Sequence, residues 1–200
     1  MNLNVNIAAI AIFVVTIAAS LLALYARPTL IQAGVFRPHQ FARGNDRDTI
    51  LTSGFLHADM GHLIFNMVTY FFFAFPMAEF YGSAKFLGLY FAGLLLSNLC
   101  TLRKHRNNPH YASLGASGAI SAVLFAYVLY FPSSSLYIFP IPFPVPAPLF
   151  AIGYVAYSYY AATQNQGRIN HDAHLCGALS GIAFVLVTDP GLIGRYLGST

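Results

Sequence analysis

The run Ser113-Leu114-Gly115-Ala116-Ser117-Gly118-Ala119-Ile120-Ser121 opens a stretch that stays uncharged as far as Phe131, and its reading decides what kind of fold this chain has. It sets a serine between two glycines at the mouth of an apolar helix. Gly115 and Gly118 can take backbone angles closed to other residues and can let a second helix come close. A serine hydroxyl is a weak nucleophile by itself. A catalytic reading therefore needs a base, an oxyanion site and a means of excluding water from elsewhere in the chain. The competing reading is packing, because small residues on membrane helices commonly serve helix contact.

Composition decides the solvent of that helix. The chain has 200 residues, 57% hydrophobic and 8% charged, with a mean hydropathy of +0.61. A soluble domain carries about 25% charged residues. We therefore expect an all-α membrane protein, a single domain over residues 1–200. Its helices are predicted at about 5–26, 62–80, 85–102, 116–131, 149–163 and 172–188. A spanning helix needs about 20 residues. The last three are short, which suits helices that begin below the surface beside a protein-lined, water-accessible cavity. The first stretch lacks a basic leader and exceeds the apolar core of a signal peptide, so it reads as a retained span. The lack of long polar tails makes the chain read as a minimal membrane core. Cys100 and Cys176 lie in apolar helices without a C-x-x-C partner. They are expected to pack, with no disulfide framework or thiolate metal site. The net charge of +4 is spread over loops. No basic run is interleaved with aromatics, which argues against a nucleic-acid partner. No cofactor and no metal is expected.

Polar groups inside apolar segments carry the functional signal. The loop from Arg27 to Met60 mixes arginines with Val35, Phe36, Leu51 and Phe55, and should rest on the membrane or on the helices. After His57 the chain enters a helix carrying His62 and Asn66, four residues apart and on one face. Such side chains within a membrane mark function, the alternative being a pair bonded to neighbouring backbone. Arg103-Lys104-His105-Arg106 reads as a cationic helix cap. Between Tyr137 and Pro148 alternate prolines should forbid helix and ladder pairing, leaving a stiff, extended connector at the bilayer surface. Tyr154, Tyr157, Tyr159 and Tyr160 read as interfacial aromatics. In Asn170-His171-Asp172-Ala173-His174-Leu175-Cys176-Gly177-Ala178-Leu179-Ser180-Gly181, His174 starts an apolar helix. Gly177 and Gly181 give that helix a small-xxx-small face. Were its neighbour the helix that begins at Gly115, Ser117 and Gly118, the imidazole would meet the serine hydroxyl.

An H-x-x-x-N pair, then G-x-S-G, then A-H-x-x-G-x-x-x-G, in that order and on those helices, resembles the rhomboid intramembrane serine proteases over nearly the whole chain. The resemblance implies Ser117 as nucleophile and His174 as general base, a dyad without a third member. Asp172, two residues before His174, would point to another side of the helix and is read as a loop or capping residue. The implied oxyanion site is His62, Asn66 and the Ser117 backbone N–H at a helix N-terminus. Gly115 and Gly118 would shape the serine turn, Gly177 and Gly181 the helix contact, and His57 would hold the first loop. The implied substrates are transmembrane segments of membrane proteins in the lipid bilayer, admitted past the fifth helix under a lid over Thr163 to Asn170.

Two departures stand out. The family commonly has a tyrosine one turn after the serine, stacked on the histidine, where this chain has Ser121, so support for the imidazole must come from elsewhere. Its Trp-Arg pair in the first loop is replaced by Asp48-Thr49, so loop anchoring must differ. Orientation also pulls two ways. Arg27, Arg37, Arg43, Arg47, Arg103, Lys104, Arg106 and Arg168 crowd the serine face, which by the positive-inside rule would be cytoplasmic. The resemblance implies an extracytoplasmic active site, and we expect that orientation, in a prokaryotic cell membrane. The rival functions are a proteolytically inactive binder of transmembrane helices, and a metal or transport site built from His57, His62, His171, Asp172 and His174.

Overall fold

The computed structural model describes residues 6–137, 142–164, 170–196 and 198. Each of the six apolar stretches forms a helix: α1 Ile7–Leu21, α2 Met60–Tyr81, α3 Ser83–His105, α4 Ser117–Tyr130, α5 Ala147–Gln164 and α6 His171–Thr188. Local chemistry sets the ends. Asn6 caps α1 by accepting from Ala8 and Ala9, and its amide donates to Ala78 O on α2 at 2.8 Å, tying the two helices together. Asp59 caps α2 by accepting from the His62 N–H at 2.8 Å, and Asn170 caps α6 by accepting from Ala173 at 3.0 Å. Such caps satisfy backbone donors that a helix start leaves without partners. Gly82, at φ +74°, turns the chain between α2 and α3.

α4 sits at the centre. Every residue from Gly118 to Ala126 is buried, as befits a helix apolar on all sides. α2, α3 and α6 pack around it, with Tyr70, Met77, Phe86, Leu89 and Tyr90 buried in the shared core. On the outside, Phe65 (74% exposed), Phe72 (62%) and Val187 (80%) face away from the protein. Large apolar groups left outward suit lipid contact. α2, α3, α6 and α1 with its widened last turn (Ile7–Ala26) are long and apolar enough to cross a membrane. This is a helical membrane protein.

The first loop folds down onto the helices. Val35, Phe36 and Leu56 are buried. A Cβ at Gly54 would meet the Leu94 side chain of α3 at 2.6 Å. Anchoring comes from Asn98 on α3, whose amide donates to Ile50 O at 2.8 Å, and from Thr49, which is fully buried and donates to Asp46 O.

Two expectations need correction. Cys100 and Cys176 are a disulfide, with Cα atoms 6.4 Å apart. Spacing along the sequence could not reveal it, because the two cysteines, 76 positions apart, are brought together only by the packing of α3 on α6. The proline-rich connector also does not exclude ladder pairing. β1 (Ser135–Leu136) and β2 (Val145–Pro146) run antiparallel, Ser135 opposite Pro146. A proline at the end of so short a strand costs no donor that the ladder uses, and Ala147 N–H closes the pair by donating to Ser134 O at 2.9 Å. The middle of that connector, 138–141, lies outside the described residues.

Candidate active site

Ser117 is the first residue of α4, so its N–H has no intrahelical acceptor and points at whatever lies before the helix. The loop leading to it is pinned residue by residue. Ser113 exchanges backbone hydrogen bonds with Phe36 at 2.9 and 3.0 Å, and Gly115 N–H donates to Ser53 O at 2.9 Å. Gly115 has φ +121°, where a side chain is strained, and a Cβ there would meet the His62 imidazole at 2.7 to 2.8 Å. Only glycine lets His62 lie against this turn.

His57 holds the next peptide. Its Nε2 accepts from Ala116 N–H at 3.5 Å, so the ring proton sits on Nδ1 and is donated to Ser20 Oγ at 2.9 Å. Ser20 in turn donates to Phe55 O at 3.0 Å. Burial, then the neighbouring His62, pushes the His57 imidazole down to about 3 against the opposing pull of Asp59. A histidine with both nitrogens so used is a strut between α1 and the serine loop.

Asn66 is buried and donates to His62 O, one turn earlier, at 2.9 Å. One of its two amide hydrogens thus follows the backbone-bonded alternative, and the second remains for another acceptor. A small cavity has Ser117, Ser53, Ser97, Asn98 and Asn170 in its wall.

The α4/α6 contact is made by backbone. A Cβ at Gly177 would stand 2.2 Å from Gly118 O, and one at Gly181 would stand 2.1 Å from Ala122 O. Gly118 is pressed from its other side by Ser97 of α3, whose Oγ would lie 2.2 Å from an added Cβ. His174 is one turn before Gly177, and Ser117 is next to Gly118. The first turns of α4 and α6 are therefore neighbours. Among the described residues no hydrogen bond joins the Ser117 and His174 side chains.

Three ties to α3 fix the start of α6. Asn170 donates to Thr101 Oγ1 at 2.9 Å, Lys104 pairs with Asp172 at 2.8 Å, and the Cys100–Cys176 disulfide follows one turn on. Asp172 is thus turned to the cationic end of α3, with His105 Nε2 also 3.7 Å away; it lies within the first turn of α6, and the cap is Asn170, not the Asp172 of the loop-or-cap reading. Lys104 further donates to Ala162 O at the end of α5.

The sequence reading placed Tyr154 among the interfacial aromatics and gave it no part in the site. Its ring lies 27° from parallel to His174, with centres 6.3 Å apart, and its hydroxyl is 2.7 Å from Ser121 Oγ. The available signal was the pair Tyr154 and Tyr157, three residues apart and so on one face of α5. The lid expected over Thr163 to Asn170 falls mainly on 165–169, outside the described residues. No three His, Cys, Asp or Glu side chains form a metal-holding group among the described residues.

Known proteins point in the same direction. A family model described as Rhomboid domain matches residues 44–190. RHOMBOID-like protein 12, mitochondrial, of Arabidopsis thaliana is 32% identical over 145 residues, covering 65% of this chain and 43% of that protein. Rhomboid protein 1, mitochondrial, of Saccharomyces cerevisiae is 29% identical over 139 residues, covering 68% and 40%. Presenilin-associated rhomboid-like protein, mitochondrial, of Homo sapiens is 31% identical over 140 residues, covering 68% and 36%. The chain spans about two fifths of the length of the curated relatives it matches. These relatives are named as mitochondrial, and for this chain what stands of the expected location is the membrane itself.

Proposed function

The chain belongs to the rhomboid family, and from that premise we propose that it is an intramembrane serine endopeptidase whose six helices, α1 to α6, enclose a water-bearing site. The observation that carries this reading is the backbone contact of Gly118 with Gly177. It puts the turn bearing Ser117 against the turn bearing His174 at the level where α4 and α6 begin.

In this reading the Ser117 hydroxyl attacks a substrate carbonyl while His174 takes its proton. Negative charge gathers on the carbonyl oxygen, where the Ser117 N–H, His62 and Asn66 would donate to it, helped by the α4 dipole. The C–N bond then breaks and His174 returns the proton to the leaving amine. Water attacks the ester on Ser117, again with His174 as base, and frees the carboxylate. The Ser117–His174 hydrogen bond would form when substrate binds, since catalytic hydrogen bonds commonly reach full geometry only in the complex. The substrate is a transmembrane segment of a membrane protein. It must unwind before cleavage, because a helical peptide bond hides its carbonyl. We place its admission past α5, with the serine face extracytoplasmic or its topological equivalent.

The test is labelling of the detergent-solubilised chain with a fluorophosphonate probe, comparing wild type with Ser117→Ala and His174→Ala. Labelling of wild type alone is expected, and labelling that survives Ser117→Ala refutes the assignment. A second reading, a helix binder that does not cut, draws on Ser121 and on the missing Ser117–His174 bond. Folded wild type that fails to label would favour it.

A further inference from the structure

We propose that Tyr154 is the positioning residue for His174, held from α5 by a hydrogen-bond relay that ends on the carbonyl of Ser117. This deepens the protease reading and rests on it.

The relay follows from counting protons. Ser121 has one hydroxyl hydrogen, and it goes to Ser117 O at 2.8 Å. Ser121 can therefore only accept from the Tyr154 hydroxyl, 2.7 Å away. The phenol is thus moored to the residue that carries the nucleophile, while its ring lies near-parallel beside His174 at 6.3 Å. Phe125 of α4 and Phe150 of α5 pack on the ring at 5.5 and 5.7 Å and restrict its tilt. Ser121 is buried, and its short side chain leaves the space that the phenol fills. A tyrosine at 121 and one at 154 would compete for it.

The arrangement repeats one turn further along. Tyr157 stands edge-on to His171 at 5.4 Å, and His171 edge-on to His174 at 5.9 Å. Two tyrosines three residues apart on α5 meet two histidines three residues apart on α6. The imidazole of His174 is therefore bounded by α5 as well as by its own helix. If substrate passes α5 to reach Ser117, displacement of that helix takes the ring away from His174. Orientation of the base is then coupled to the position of α5.

The alternative is a tyrosine that merely packs. The two differ in their response to ring, hydroxyl and relocation. The experiment measures the second-order rate of fluorophosphonate labelling, with thermal midpoints in the same detergent, on the full chain and its variants. Tyr154→Leu keeps bulk without a ring and should slow labelling about tenfold or more with little change in midpoint. Tyr154→Phe keeps the ring and should lose severalfold less. Ser121→Ala should match Tyr154→Phe, and combining them should add nothing further, since both cut one relay. The exchange Ser121→Tyr with Tyr154→Ala moves a phenol onto α4 and should recover much of the rate that Tyr154→Ala loses.

Undiminished labelling of Tyr154→Leu, where Ser117→Ala abolishes the labelling of wild type, overturns the positioning role and leaves the protease reading intact. Should Tyr154→Leu fail to fold, a folded exchange variant no faster than Tyr154→Ala overturns it equally. Wild type that never labels removes the protease reading, and the positioning role with it.

Discussion

Gly177→Ala tests the α4/α6 contact with one methyl group. The added Cβ would lie 2.2 Å from Gly118 O, 2.9 Å from Gly118 C and 3.1 Å from Gly118 Cα. These are backbone atoms, so no rotamer change can relieve the clash. Ordinary contact begins near 3.4 Å, and the helices must part by about 1 Å at this level. Overpacking of this kind costs roughly 1–3 kcal/mol. A displacement of about 1 Å between reacting groups costs on the order of a hundredfold in rate. The two effects separate experimentally: a fall in thermal midpoint reports the first, and the fluorophosphonate labelling rate of Ser117 at a temperature well below the midpoint reports the second. Gly153→Ala is the control, since a Cβ there meets nothing within 4 Å, and it should leave the labelling rate unchanged without lowering the midpoint. If Gly177→Ala labels within twofold of wild type while folded, the contact does not set the distance between nucleophile and base.

Gly115→Ala should be more damaging to activity than to stability: φ +121° and the His62 ring at 2.7 Å both oppose a methyl group, so labelling should fall by about a hundredfold or more. Stability should fall with pH through His57. Its folded pKa, about 3, lies below the unfolded value of 6.5, so below pH 6.5 the unfolded chain binds a proton that the native chain refuses, and stability is full above 6.5 and lost toward 3. The loss should be about 2 kcal/mol between pH 7 and pH 5, and comparing the slopes of thermal midpoint against pH for wild type and His57→Gln isolates it. The Lys104–Asp172 pair is partly exposed, at 35% and 24% of its side chains, so a double-mutant cycle on thermal unfolding should give a coupling of at most about 1 kcal/mol. A coupling well above that would mean the pair is shielded from water, as lipid cover would make it.

The helices were legible because a membrane helix must satisfy all its backbone hydrogen bonds within itself, so long apolar runs have one structural outcome. The start of α4 was legible for a similar reason: Gly115, Ser117 and Gly118 form a turn whose demands are local. What lay outside such reasoning was every contact between segments distant in sequence. The Cys100–Cys176 bond needs the register of α3 on α6, and nothing within either helix encodes that register. Asn98, which ties down the loop that lacks the family's Trp-Arg pair, meets Ile50 only once α3 is under the loop.

Ser121 and Tyr154 show the same limit at the site itself. Viewed along α4 alone, Ser121 is a loss, because an aromatic group commonly found there is missing and the imidazole has no neighbour on that side. In space the space left by the smaller residue admits the phenol of α5, and the hydroxyl of Ser121 gives that phenol an acceptor. The substitution and the tyrosine are one arrangement distributed over two helices. They differ in what they bind the His174 imidazole to: an aromatic on α4 moves with Ser117, whereas Tyr154 moves with α5. α6 is joined to α3 by a disulfide, an ion pair and a capping side chain. α5 is hydrogen-bonded to α4 through the Tyr154 phenol and to α3 through Lys104, which donates to Ala162 O. A force that shifts α5 therefore reaches the His174 imidazole through Tyr154 and, one turn on, through Tyr157 and His171.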